Sequence, residues 1–175
     1  MPAWSAGATA SAIFQQAMLN PLLGRAYGTA IPTGFTSLSA DTINAALFNN
    51  TTVPDKTVTA ALSAYAAATS QWIAANEVTS TNWAAGGRPL ASKTCAIDTG
   101  TSSIVFNAAN TAGGGNVTIA NAYGCLVYDA TISSPSGQGL CFNSFGGSAQ
   151  GVTAGTFTIV WATVGATTAV FNITV

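Results

Sequence analysis

The side chains most suggestive of chemistry lie in GCLVYDATISSPSGQGLCFNSFGG, residues 124–147. Cys125 and Cys141 offer two thiols, and Tyr128 and Asp129 stand close by. A reactive thiol requires a nearby cation, an imidazole or a helix N-terminus to favour the thiolate. The chain has no histidine. That removes Ser-His-Asp and Cys-His nucleophiles, HExxH metal sites and most general acid–base designs. The three cysteines, Cys95, Cys125 and Cys141, show no CxxC spacing, so they are expected to be buried small side chains without a disulfide. Facing reduced thiols across a hairpin are the expectation for Cys125 and Cys141.

Other reactive residues are equally sparse. Glu77 is the single glutamate, and Asp41, Asp55, Asp98 and Asp129 are far apart in sequence. A working carboxylate pair is therefore not expected, although distant residues can meet in space. The segment AGGGN, residues 112–116, lacks the GK[ST] ending of a phosphate loop and reads as a turn between strands. Trp4, Trp72, Trp83 and Trp161 are expected as core anchors rather than as a sugar-stacking platform. Glu77 and Arg88 flank the stretch NEVTSTNWAAGGR and form a candidate ion pair pinning this loop, a structural role. No catalytic residue, metal site or cofactor is expected.

Composition narrows the partners. Charged residues make up 5% of the chain and the net charge is −1, against about 25% charged residues in an average protein. Arg25, Lys56, Arg88 and Lys93 are the only basic residues. They cannot neutralise the roughly six to ten phosphates of a nucleic-acid interface, and they give no purchase on an anionic membrane. A surface this neutral protects poorly against self-association, which suits a chain packed in an assembly. The Ala-rich run 58–75 is broken by Thr59, Ser63, Thr69, Ser70 and Gln71 and is no membrane span. The N-terminus MPAWSAGATASAIF has no basic region, so synthesis in the cytoplasm without a secretion signal is expected.

Positioning these residues requires a mainly β chain. The runs SSIVFN, NVTIAN, YGCLVYD, GLCFNSF, TFTIVWATV and TAVFNITV are separated by Gly-, Ser- and Asn-rich turns. That pattern predicts an antiparallel β-sandwich, Ig-like or jelly-roll-like, over residues 39–175. The run IleAsnAlaAlaLeuPhe after Asp41 is a further strand, with a turn at Pro54-Asp55. Val58, Leu62, Tyr65, Ala66, Thr69 and Trp72 fall at three- and four-residue steps, which predicts one further helix. Residues 1–38 differ in texture: helical spacing on either side of Pro21 predicts a helical arm or lid. Its apolar residues Ile13, Phe14, Met18, Leu19, Leu22 and Leu23 are candidate capsid or subunit contacts.

The series LFNNT, QWIAANEVTSTNWAAGGRPL, VFNAANT, AYGCLVYD, QGLCFNSFGG and VTAGTFTIVWATVG resembles small virion structural proteins of tailed bacteriophages infecting actinobacteria and related hosts. The shared order is an LxN strand, a W-x-x-ANEV loop, a GG-x-x-L turn, a VYD strand and an FGG followed by a TAGTF strand. It covers about residues 42–165. The resemblance implies a non-enzymatic capsid decoration (cement) protein on the outer surface of the head. Its implied partners are the major capsid protein and neighbouring copies, arranged as trimers. A tail or fibre location is the competing implication, and a carbohydrate-binding β-sandwich module is the alternative from a different class. The long N-terminus departs from the pattern, which leaves the mode of attachment open.

Overall fold

In the computed structural model the described residues are 12–13, 37–164 and 167–174. Their elements in chain order are β1 (Ala12–Ile13), β2 (Ile43–Phe48), α1 (Ala60–Ser63), a 3-10 turn (Ala74–Asn76), β3 (Arg88–Pro89), β4 (Thr94–Asp98), β5 (Ser103–Asn107) and β6 (Thr111–Ala112). These are followed by β7 (Val117–Ala122), β8 (Gly124–Asp129), β9 (Gly139–Ser144), β10 (Gln150–Gly155), β11 (Thr158–Ile159), β12 (Ala162–Val164), β13 (Thr167–Ala169) and β14 (Phe171–Thr174). The protein is mainly β, and every strand pairing among the described residues is antiparallel.

The largest sheet has the order β1-β9-β8-β2-β3. Strands β2 and β8 pair along their full length, from Ile43 opposite Asp129 to Phe48 opposite Gly124. Alternate side chains of these strands go to opposite faces, and both faces are covered. Ile43, Ala45, Leu47, Cys125, Val127 and Cys141 join a core that also takes Phe106 from β5, Val117 and Ile119 from β7, and Trp83, Phe157 and Trp161. Ala46, Phe48, Leu126, Tyr128 and Phe142 point the other way and pack under Trp72. Double burial explains why GCLVYD reads as a continuous apolar run rather than an alternating one.

The cover over the second face comes from the segment expected to hold the further short helix. Only Ala60–Ser63 is α-helical, capped by the Thr59 hydroxyl. Alanine favours helix, but tertiary and side-chain bonds override it here. Tyr65 N–H donates to the Gly137 carbonyl at 2.9 Å, and Ala66, at φ 54°, donates to the Trp72 carbonyl. Ser70 Oγ donates to Leu62 O and accepts from Trp72 N–H, the local competition that serine brings to helices. The chain therefore folds back on itself and sets Trp72, fully buried, edge-on to Phe48 at 4.9 Å.

A second sheet, β14-β5-β4, is built differently. Phe106 and Phe171 on neighbouring strands stack toward the core at 5.3 Å. Strand β4, however, is exposed along Thr94 to Ile97. Two-stranded pairings β10-β7, β11-β6 and β12-β13 complete the arrangement.

The expected N-terminal helix finds no support where the structure can be read. Ala12 and Ile13 form an extended strand paired with Phe142 and Cys141. Residues 1–11 and 14–36 lie outside the described residues.

Candidate functional site

The cysteine hairpin is β8-β9, as its sequence suggested. The register sets Val127 opposite Cys141 and Cys125 opposite Asn143, so the thiols are diagonal neighbours on one face rather than directly opposed. Both are free and buried. Burial pushes the Cys125 thiol up to about 12, partly offset by hydrogen bonds from Asn143. Cys141 is likewise raised well above the usual thiol value, by burial and then by the neighbouring Cys125. Thiols held protonated in an apolar core are poor nucleophiles. Cys95, expected to be buried with them, is instead exposed on β4.

Glu77 does pin its loop, but not through Arg88. Its Oε2 accepts from Tyr65 Oη at 2.6 Å and its Oε1 from Gly86 N–H at 2.9 Å. Arg88 stands in β3 opposite Ala45. Tyr65 lies flat on Tyr128, with ring centroids 4.6 Å apart and planes within 7°. Tyr128 Oη in turn donates to Gly86 O at 2.9 Å and accepts from Asn44 Nδ2. This latch joins the cover segment, the Gly86-Gly87 turn and β8. Gly87 fits only as glycine: its φ is +72°, and a Cβ would sit 2.0 Å from Ala45 O. Burial raises Glu77 against the pull of the Tyr65 hydroxyl and the Gly86 and Gly87 N–H groups. Burial also raises Tyr65, and its hydrogen bond to Glu77 adds to this. A tyrosine held protonated against a carboxylate is a structural bond, not a base.

A carboxyl pair absent from the sequence expectations closes the end of β2-β8. Asp41 and Asp129 are 4% and 0% exposed. Asp129 faces Ile43 across the ladder, which brings it beside Asp41, two residues earlier on the same face. Asp129 Oδ1 accepts from the N–H groups of Thr131 and Ile132. Its Oδ2 has no hydrogen-bond donor, and the carboxyl as a whole stands in side-chain contact with Asp41. A second carboxyl this close disfavours the charged form of Asp129. Burial, followed by the charge and hydrogen bond of Asp41, raises Asp129 from 3.8 to about 6, while the Thr131 and Ile132 N–H groups oppose the shift. The pair is closed to substrate. Its signal lay in two acidic residues bracketing strands that pair end to end, legible only once the β2-β8 register is known.

The remaining expected residues separate. Ile13 is half-buried against its own core; Phe14, Met18, Leu19, Leu22 and Leu23 lie outside the described residues. Trp72, Trp83 and Trp161 are buried, and Trp4 is outside the described residues. A groove of about 560 Å³ runs between β1-β9 and the β11–β14 strands, lined by Ile13, Asn143, Trp161 and Asn172 among others. Among the described residues, no group of three or more His, Cys, Asp or Glu gathers to hold a metal, and no helix is long and apolar enough to cross a membrane. Large apolar side chains do stand outside: Ile97 is 74% and Val160 70% exposed.

Comparison with protein-family models, curated proteins and solved structures finds no match to the chain.

Proposed function

We propose that the chain is a non-enzymatic virion structural protein, a capsid decoration protein that binds the outer surface of an icosahedral phage head. In this reading the antiparallel sheets form a β-sandwich of Ig-like or jelly-roll-like type. The major capsid protein and neighbouring copies are its partners. The observation that carries the proposal is the division of side chains. The thiols of β8-β9, the Asp41–Asp129 carboxyls and Glu77 are all engaged inside the fold. Nearly uncharged strands with large apolar side chains are left to the outside. Interfaces depleted in charge and built from apolar contacts have this composition, and a lattice strengthens each weak contact through several simultaneous ones. The particle itself comes into this reading from the resemblance of residues 42–165 to phage virion proteins.

Among the described residues the tryptophans offer no stacking platform to a carbohydrate, since Trp72, Trp83 and Trp161 are buried. Cryo-electron microscopy of particles carrying this chain tests the proposal. The expected result is density for the chain on the outer surface of the shell. Density confined to the tail, or none on the particle, overturns it.

A further inference from the structure

Strand β4 is the end strand of β14-β5-β4, and no strand among the described residues pairs with its outer edge. Exposed edges are usually blunted by lysine, proline, a bulge or a covering loop. Here the five-residue register with β5 runs without a bulge. The flanking charges turn inward: Lys93 Nζ donates to Leu90 O, and Asp98 Oδ1 accepts from Gly100 N–H. Ile97 ends a cross-strand row with Ile104 and Ile173, and it is 74% exposed.

We propose that β4 pairs antiparallel with β4 of a second copy about Ala96, joining two three-stranded sheets into one six-stranded sheet. The strand is self-complementary in this register. Thr94 meets Asp98 of the other copy, Cys95 meets Ile97, and Ala96 meets Ala96. Polar residues oppose polar and apolar oppose apolar, with no like charges across the axis. Such a contact is isologous and closes as a two-fold dimer. A one-residue slip would turn Ile97 to the wrong face, and a two-residue slip would leave three of the five residues paired. The proposal deepens the assembly reading by naming a copy-to-copy contact, and it can fail while binding to the particle survives.

Cysteine placement tests it directly. Residues directly opposed across an antiparallel pair have Cα atoms roughly 4.5–5.5 Å apart, within disulfide reach. In a Cys95→Ser chain, Ala96→Cys is expected to give a disulfide-linked dimer under mild oxidation at micromolar protein. Thr94→Cys and Asp98→Cys copies should cross-link when mixed, at least tenfold faster than either alone. Adding Ile97→Lys to the Ala96→Cys chain should slow its cross-linking at least tenfold, with the melting temperature confirming a folded chain. The proposal is overturned if Ala96→Cys cross-links no faster than Thr94→Cys alone. It is also overturned if the mixed pair shows no preference, or if Ile97→Lys leaves the rate unchanged. Sedimentation of the unmodified chain gives a second readout: a reversible dimer lost in Ile97→Lys supports the pairing, and an unvarying monomer overturns it.

Discussion

Strands β8 and β4 are near twins in sequence: GCLVYD and TCAID each place a cysteine second and an aspartate last, around aliphatic residues. Their fates are opposite. All six residues of β8 are buried, whereas Thr94, Cys95, Ala96 and Ile97 of β4 are exposed. Asp129 is locked against Asp41, while Asp98 only closes its own turn onto Gly100. The difference lies in position within the sheet. Strand β8 has a neighbour on each side and a layer over each face; among the described residues β4 has one neighbour and nothing over its outer edge. The same residue types therefore make a sealed core in one place and an adhesive edge in the other.

Removing the cover over β8 should produce the largest effect. Trp72→Ala deletes the fully buried ring packed on Phe48 and Phe142 and is expected to cost about 3–5 kcal/mol in urea unfolding. A cost below about 1 kcal/mol would mean that β8 keeps its protection without this layer. Tyr65→Phe comes next. It leaves Glu77 Oε2 without its 2.6 Å donor, at a cost of about 1–3 kcal/mol. If the loss does not exceed that of Tyr123→Phe, the latch is not holding the cover.

A smaller effect, of opposite sign at neutral pH, is expected at Asp129. Its carboxyl rises from 3.8 unfolded to about 6 folded, so the folded chain holds the proton more tightly between these values. Stability is then highest at low pH and falls as pH rises through that window. Asp129→Asn keeps an oxygen for Thr131 and Ile132, flattens the slope, and is expected to raise stability at pH 7 by about 1 kcal/mol. Denaturation midpoints from pH 4 to 8 check this, and an unchanged slope would refute the raised Asp129 carboxyl. The least effect on folding should come from β4: Ile97→Ser in dilute protein is expected to change stability by no more than about 0.5 kcal/mol. A loss comparable to Trp72→Ala would place Ile97 in the core.

Much of this contrast was legible in the residues, and the illegible parts share a cause. The runs around Val105, Ile119, Val127 and Phe142 announced strands through β-branched and aromatic residues bounded by Gly and Ser. The Cys125–Cys141 hairpin and the buried tryptophans followed from the same pattern. Residues 58–72 misled, because alanine content and helical spacing cannot register a bond such as Tyr65 N–H to Gly137 O. The partner of Glu77 was missed because Tyr65 reaches it only after that chain reversal. Asp41 and Asp129 meet only through the β2-β8 register, and Cys95 differs from Cys125 only by its place in a sheet. Local pattern specifies strands; strand order decides which of them are sealed.

Thiol labelling of the folded protein tests this division most directly. In dilute native protein, one cysteine per chain, Cys95, should react at a rate near that of a free thiol. Cys125 and Cys141 should react only as fast as the chain unfolds, and all three together in denaturant. Rapid native labelling of Cys125 or Cys141, identified by mass spectrometry of the peptides, would contradict a sealed β8-β9 core.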